Sequence, residues 1–284
     1  MEIIRGIREM QMRAEGIRKE GRRIGCVPTM GYLHDAHLSL VRMAKEISDV
    51  VVVSIFVNPT QFGPGEDLDH YPRDEERDRE KLIAEGVNIL FMPAGDQVYP
   101  EGYQTFIEVL ELSQGLCGDF RPGHFRGVAT VVAKLFNSVK PHVAIFGEKD
   151  YQQLLVIRRM AYDLNFDVEV LSAPLVREGD GLAMSSRNVY LSPEERGKAL
   201  SLSKALREGE ALFDRGERSS ERIGDTVRKR IEREGGVRLQ YVEVLDGETL
   251  EEIGTIGGSA VIAVAAHVGS TRLIDNIVLG RGRR

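Results

Sequence analysis

Cysteine is scarce. Only Cys26 and Cys117 occur in 284 residues, so no disulfide framework is implied. No run of about 18 apolar residues is present, which excludes a transmembrane helix. Basic charge is not in excess either. Lys and Arg number 38 against 44 Asp and Glu, and a formal net charge of −6 argues against a general nucleic-acid binder. The Arg281, Arg283, Arg284 tail is too short to reverse that balance. The opening residues lack the basic start and apolar centre of a signal peptide, so cytoplasm is the expected compartment. Repeats and low-complexity tracts are absent. The remainder, 42% hydrophobic and 29% charged, is ordinary for a globular protein large enough for one large domain or a large and a small one.

The stretch around which the chain is organised is Val27 to Val41. An apolar run, Ile24 to Val27, reads as a buried strand. The backbone then turns at Pro28 and Gly31, and a helix is expected from about Asp35. Open amides at a helix start attract anions, above all phosphate. His34 and His37 stand there, each able to donate to phosphate oxygens, and Gly31 permits close approach to the backbone. A nucleotide phosphate is the expected occupant. The alternative is zinc, but no third ligand is suitably spaced.

Periodicity orders the rest. Ile3, Ile7, Met10, Ala14 and Ile17 predict a first helix. Leu38, Val41, Ala44 and Ile47 continue the helix after the histidines. Val50–Val57 is an expected strand, apolar on both faces as an interior parallel strand should be. A polar loop, Asn58–Gly63, follows it. A charged helix over about 72–85 and a strand over 87–92 come next, and a further strand is expected over 105–110. Gly118–Gly127 reads as a Gly- and Arg-rich loop before a helix to about Val139. Val143–Phe146, a helix over 151–165 and a strand over 168–176 complete the first domain. The alternation predicts an α/β fold, a Rossmann-like doubly wound parallel sheet. Ligands in such sheets lie beyond the carboxyl ends of the strands. Ser192, Pro193 and Glu195 spell a capped helix start. A helix over 219–234 and strands over 239–245 and 260–267 predict a smaller C-terminal α+β domain. The expected division is 1–178 and 179–284, with Arg177–Gly181 as a hinge.

Polar groups cluster at strand ends. Gln61 and Gln153 suit a hydroxyl or carboxylate without adding charge, or are simply surface. Lys149 and Asp150 follow Gly147 and Glu148, where they can meet a phosphate and a ribose or form a solvated turn. Met184-Ser185-Ser186-Arg187 offers hydroxyls and a guanidinium to phosphate oxygens. Asp67, Asp69, Glu75, Glu76 and Asp78 either include a Mg²⁺ ligand or form a solvated helix face. His124 with Arg121 and Arg126 is a candidate anion site. His70, His142 and His267 are read as structural.

Taken in order, His34/His37 and Met184–Arg187 are similar to the two signatures of the nucleotidylyl-transferase superfamily, the HxGH and KMSKS types. Asp35-Ala36 stands between the histidines, so Ala36 holds the place of the usual glycine. With Pro28–His34, Phe56–Phe62, Arg121–Val128, Phe146–Gln153 and Met184–Asn188, the chain resembles the pantoate–β-alanine ligase family over essentially its full length.

That resemblance implies ATP-dependent condensation of pantoate with β-alanine through a pantoyl adenylate, releasing AMP and pyrophosphate. It implies an ATP site of Met30, Gly31, Tyr32, Leu33, His34, Asp35, Ala36, His37, Gly147, Glu148, Lys149, Asp150, Val176, Met184, Ser185, Ser186 and Arg187. His34, His37, Lys149, Ser185, Ser186 and Arg187 would stabilise charge on the transferring phosphoryl group, with Mg²⁺ held by an acidic group that the sequence does not single out. Gln61, Gln153 and Asn58 would hold pantoate, with Gln61 also at the β-alanine entrance. The C-terminal domain is the expected lid, and a homodimer the expected assembly. Two rivals stand: a nucleotidyl transferase whose product is the nucleotide conjugate, and a non-catalytic nucleotide- or RNA-binding protein on the same sheet.

Overall fold

The computed structural model describes residues 1–280; Arg281, Arg283 and Arg284 lie outside the described residues. Two compact units emerge. The first comprises residues 1–148 and 153–174, and the second Lys149–Gln152 with the described residues from Leu175 onward.

In the first unit β1 (Glu2–Ile4) precedes α1 (Ile7–Lys19), β2 (Ile24–Thr29), α2 (Asp35–Ile47) and β3 (Val50–Ile55). Then come α3 (Glu75–Ala84), β4 (Ile89–Phe91), the short α4 (Gly95–Val98) and α5 (Leu116–Phe120), α6 (His124–Val139), β5 (Val143–Gly147), α7 (Tyr151–Asp163) and β6 (Glu169–Ala173). The six strands form one parallel sheet in the order β1-β4-β3-β2-β5-β6. β2 and β3, fully in register from Ile24↔Val50 to Thr29↔Ile55, form its buried centre. Their apolar side chains pack with Leu40, Val41, Leu82, Leu90 and Ile145. The chain winds outward from β2 through β3 to β4, then resumes on the other side at β5 and β6. The topological switch point therefore lies between β2 and β5, where such sheets bind ligands beyond the strand ends.

Three expectations need correction, one at the start of the chain and two in its middle. Ile3 belongs to β1, paired with Leu90, and not to the first helix. A three-residue edge strand is too short to show a period of two. Residues 105–110 form no strand. Leu116–Phe120 is a helical turn, and α6 begins at His124, inside the expected loop.

The second unit holds α8 (Pro193–Asp214) and α9 (Ser220–Glu232) against an antiparallel sheet of β7 (Val237–Asp246), β8 (Ala260–Val268) and β9 (Thr271–Leu279). The Ser192 hydroxyl accepts from the Glu195 N–H, and the Glu195 carboxylate accepts from the Ser192 N–H, completing the capping box. β9 escapes the sequence reading because Arg272, Asp275 and Asn276 interrupt its apolar pattern.

Candidate active site

The histidine turn leaves β2 at Thr29, whose hydroxyl donates to the Ser54 carbonyl at 2.8 Å and accepts the Gly31 N–H at 3.2 Å. Gly31 and Tyr32 both have positive φ, +86° and +52°. Gly31 tolerates this freely, and a Cβ there would meet Ile55 and Asp78 at 3.0 and 3.1 Å. Tyr32 tolerates it only under constraint, and the constraint comes from α3. Asp78 takes the N–H of Tyr32 at 2.7 Å and of Leu33 at 2.6 Å. Lys81 donates to the Leu33 carbonyl at 2.5 Å, and the Arg77 guanidinium lies 4.9 Å from the centre of the Tyr32 ring. Asp78 is 1% exposed, so the reading of the whole acidic group as a solvated face holds for Asp69, Glu75 and Glu76 but fails for Asp78. Burial raises its carboxyl above the ordinary value, against the pull of the two N–H groups, Lys81 and Arg77.

His34 is the N-cap of α2 and His37 its third residue. The His34 N–H donates to Nδ1 of His37 at 3.3 Å, and the rings stack with centroids 4.0 Å apart. A ring nitrogen that accepts carries no proton, so in a neutral His37 ring the proton would sit on Nε2. Both rings are half-buried.

The second polar loop follows β3. Asn58 caps a 3-10 turn, Pro59–Gln61, and is 1% exposed. Its amide donates to Gln61 Oε1 and to the Gly127 carbonyl, both at 3.1 Å, while its oxygen accepts from the Thr60 hydroxyl and the Tyr99 hydroxyl, both at 2.9 Å. Asn58 is therefore committed within the chain, and what it does is hold Gln61. Gln61 Nε2 lies 3.0 Å from Met30 Sδ, which joins this loop to the histidine turn. The Gln61 carbonyl receives Arg121 at 3.1 Å and is 2.8 Å from His124 Nδ1. Arg121 also pairs with Glu66 at 2.6 Å. Burial raises the Glu66 carboxyl, but the Arg121 guanidinium and the Gly63 N–H together carry it below its ordinary value. Arg126 lies over the Phe106 ring at 4.2 Å. Arg121 and His124 brace the loop in this way, while Arg126 sits on Phe106, so the three are not brought together as the expected anion site. Gln153 is half-buried, and its side chain makes no hydrogen bond within the described residues. Gly147 ends β5 and Glu148 opens the 3-10 turn that follows, with Glu148 accepting from the Ser172 hydroxyl at 2.9 Å.

In the second unit the Lys149 ammonium is 3.9 Å from the Asp150 carboxylate, and the Lys149 carbonyl accepts from the Asn276 amide at 2.9 Å. Val176 and Met184 are joined by a Met184 N–H to Val176 carbonyl bond of 3.0 Å. Between them the Gly181 N–H bonds to Glu178, and Arg177 grips Asp275 through two bonds of 2.7 and 3.0 Å. The segment expected as a hinge is therefore a bonded turn inside this unit. Ser185 caps the 3-10 turn Ser186–Tyr190, accepting from the Arg187 N–H at 3.3 Å. The Asn188 amide donates to Glu178 at 2.6 Å and to the Ala183 carbonyl at 3.0 Å, fixing the loop from behind. His142 is structural as expected, its Nδ1 accepting from the Ile24 N–H at 2.9 Å.

Among the described residues no group of three or more His, Cys, Asp or Glu side chains is arranged to hold a metal ion. No described helix is long and apolar enough to cross a membrane.

Sequence reasoning missed the bracing roles of Asp78, Gly127 and Tyr99. The signal for Asp78 was present: it lies four residues before Leu82, on the one buried stripe of α3.

The chain matches the family model for pantoate–β-alanine ligase over residues 2–278. It is 57% identical to a pantothenate synthetase of Thermotoga petrophila over 280 residues, covering 99% of this chain and 100% of that one. Its structure matches the crystal structure of pantothenate synthetase from Thermus thermophilus with a TM-score of 0.92 at 46% identity, over 98% of this chain and 99% of that one. A third match is the pantoate–β-alanine ligase of Francisella tularensis complexed with β-γ ATP and β-alanine, with a TM-score of 0.82 at 34% identity and 99% of each chain covered. With the sheet, the histidine turn and the Gln61 loop in place, these matches show that the chain belongs to the pantoate–β-alanine ligase family.

Proposed function

We propose that this chain joins pantoate to β-alanine in two steps driven by ATP. A carboxylate is a poor acyl donor. Attack of pantoate's carboxylate oxygen on the α-phosphorus of ATP forms a pantoyl adenylate and expels pyrophosphate. The amine of β-alanine then attacks the acyl carbon, AMP leaves with the bonding electrons, and the nitrogen gives up a proton. The first step needs charge stabilisation and positioning, with no covalent protein nucleophile.

The observation that carries this reading is the contact of Gln61 with Met30, which sets a neutral amide against the histidine turn. A neutral group holds an anionic acid without screening it from the phosphate it must attack. Gln61 and Gln153 are assigned to pantoate, with β-alanine entering beside Gln61. Asn58 is assigned a supporting role behind Gln61. His34 and His37 are assigned to the phosphates, together with Lys149, Ser185, Ser186 and Arg187; Gly147, Glu148, Asp150, Val176 and Met184 complete the ATP set. ATP and β-alanine are carried over from the Francisella relative's complex. The acidic side chains near the turn do not form a metal cage: Asp78 holds backbone, Asp74 caps α3 and Glu75 pairs with Arg5. No step is therefore assigned to a protein-held Mg²⁺; magnesium would come on the nucleotide's phosphates.

Pantoate-dependent exchange of labelled pyrophosphate into ATP tests the adenylate, and its absence would overturn it. Free AMP that appears only with β-alanine separates the ligase from a transferase that releases the nucleotide conjugate. Shielding the adenylate calls for closure, and the second unit is assigned that role. Scattering profiles that do not change when ATP is added would remove this assignment. The assembly is assigned as a homodimer, checked by ultracentrifugation at micromolar concentration.

A further inference from the structure

We infer that Asp78 is a positioning residue for adenylate formation, which sets the backbone of the histidine turn in the shape that presents His34 and His37. The inference rests on the reading of that pair as phosphate-binding groups.

Three side chains of α3 hold one turn. Asp78 accepts two successive N–H groups, one on each carboxylate oxygen, at 2.7 and 2.6 Å. Lys81 takes the Leu33 carbonyl, and Arg77 covers the Tyr32 ring. Successive N–H groups in a turn conformation make a concavity suited to an anion. Here the anion is the protein's own carboxylate, 1% exposed. Two consequences follow. The N–H groups of Tyr32 and Leu33 are already used, so a nucleotide phosphate at this turn must be met by the imidazoles and the start of α2. Tyr32 at φ +52° keeps that conformation only while something holds it. The residue after Leu33 is His34, whose own N–H orients His37. A relaxed turn at Tyr32 thus misplaces both imidazoles at once. A carboxylate is needed, since an amide offers one acceptor oxygen and sets an NH₂ donor against the second N–H.

The alternative is that Asp78 serves stability alone, and a thermodynamic cycle separates the two roles. The full chain is made as wild type, Asp78→Asn, His37→Ala and the double variant. Pantoate-dependent pyrophosphate exchange is measured alongside amide formation from preformed pantoyl adenylate. Asp78→Asn should cut exchange by about 10²-fold, the usual consequence of misplacing a reacting group by about 1 Å. Amide formation from the adenylate should be nearly unchanged. In the His37→Ala background Asp78→Asn should cost less than in the wild type, because only His34 remains to be misplaced. Losses that multiply in the double variant, or wild-type exchange in Asp78→Asn, would overturn the inference. If Asp78→Asn does not fold, Lys81→Met releases the same turn at the Leu33 carbonyl and leaves the carboxylate in place; multiplying losses there overturn it equally. If His37→Ala alone leaves exchange intact, the phosphate reading itself falls and takes this inference with it. An exchange defect in His37→Ala with multiplying losses removes only the role of Asp78.

Discussion

Gly127→Ala tests how tightly the Gln61 loop, which we propose binds pantoate, is held. A Cβ at Gly127 would lie 2.2 Å from the Thr60 carbonyl oxygen, 2.5 Å from its carbon and 2.7 Å from the Gln61 nitrogen. All three are backbone atoms, so no side chain can rotate away. Relief requires α6 and the 3-10 turn to part by about 1 Å, to restore normal contact. That movement breaks the 3.1 Å bond from the Asn58 amide to the Gly127 carbonyl and leaves a buried donor unpaired. Overpacking costs about 1–3 kcal/mol, and the orphaned donor about 1–3 kcal/mol more. Better helix propensity returns about 1 kcal/mol, leaving a net loss of roughly 1–5 kcal/mol by these terms. Gln61 should move with its anchor, so pantoate affinity measured by calorimetry should fall far more than ATP affinity. Gly197→Ala, in α8 with nothing within 4 Å of the new Cβ, serves as the control and should be neutral or slightly stabilising. A Gly127→Ala protein with the wild-type melting temperature and pantoate affinity would refute the reasoning.

Gln61→Ala and Gln153→Ala should each weaken pantoate binding by about 1–3 kcal/mol and barely touch ATP. Only Gln61→Ala should also lower stability, because it takes an acceptor from buried Asn58; equal melting temperatures would contradict this. Arg177→Met strands the Asp275 carboxylate, 3% exposed, and should cost about 3–5 kcal/mol at neutral pH. Burial already raises Asp275 above its ordinary value with Arg177 opposing, so the folded state binds more protons and stability falls as pH rises through that window. Without Arg177 the fall should steepen, so urea midpoints should show a loss that shrinks in acid; a pH-independent loss would count against it. His37→Ala should slow pyrophosphate exchange by about 10²–10³ and spare amide formation from preformed adenylate; equal losses in both halves would make the turn merely structural.

The central strands and the site motifs were legible because they depend on local pattern. Val50–Ile55 is apolar on both faces, and that alone marks an interior parallel strand. Ser192, Pro193 and Glu195 announce a helix start in four residues. What stayed hidden depends on partners distant in the chain. β1 exists because Ile3 finds Leu90. Asp78 looked like one more carboxylate among Asp74, Glu75 and Glu76 until its partners, more than 40 residues earlier, were in place. Asn58 read as a ligand-binding amide, yet its partners include Tyr99 and Gly127. A polar side chain named from its type alone cannot be sorted into one that meets substrate and one that holds the residue that does.

That sorting has a consequence for how the first unit divides its labour. Both functional loops follow central strands, and each is gripped from outside by a helix that follows it in the chain: the histidine turn by α3, through Asp78, Lys81 and Arg77, and the Gln61 loop by α6, through Gly127 and His124, with Arg121 just before it. In both, the bonds are to backbone, the Tyr32 and Leu33 N–H groups in one and the Gln61 carbonyl in the other, while the Gln61 amide keeps only one internal donor contact, the weak one to Met30. Backbone that is already bonded cannot rearrange to meet a ligand, so under the proposed function selectivity in these loops would reside in those few side chains. Substitutions at Gln61 or His37 should then change what is bound or how fast it reacts, whereas substitutions in α3 or α6 should first change the geometry of the loop that each helix holds.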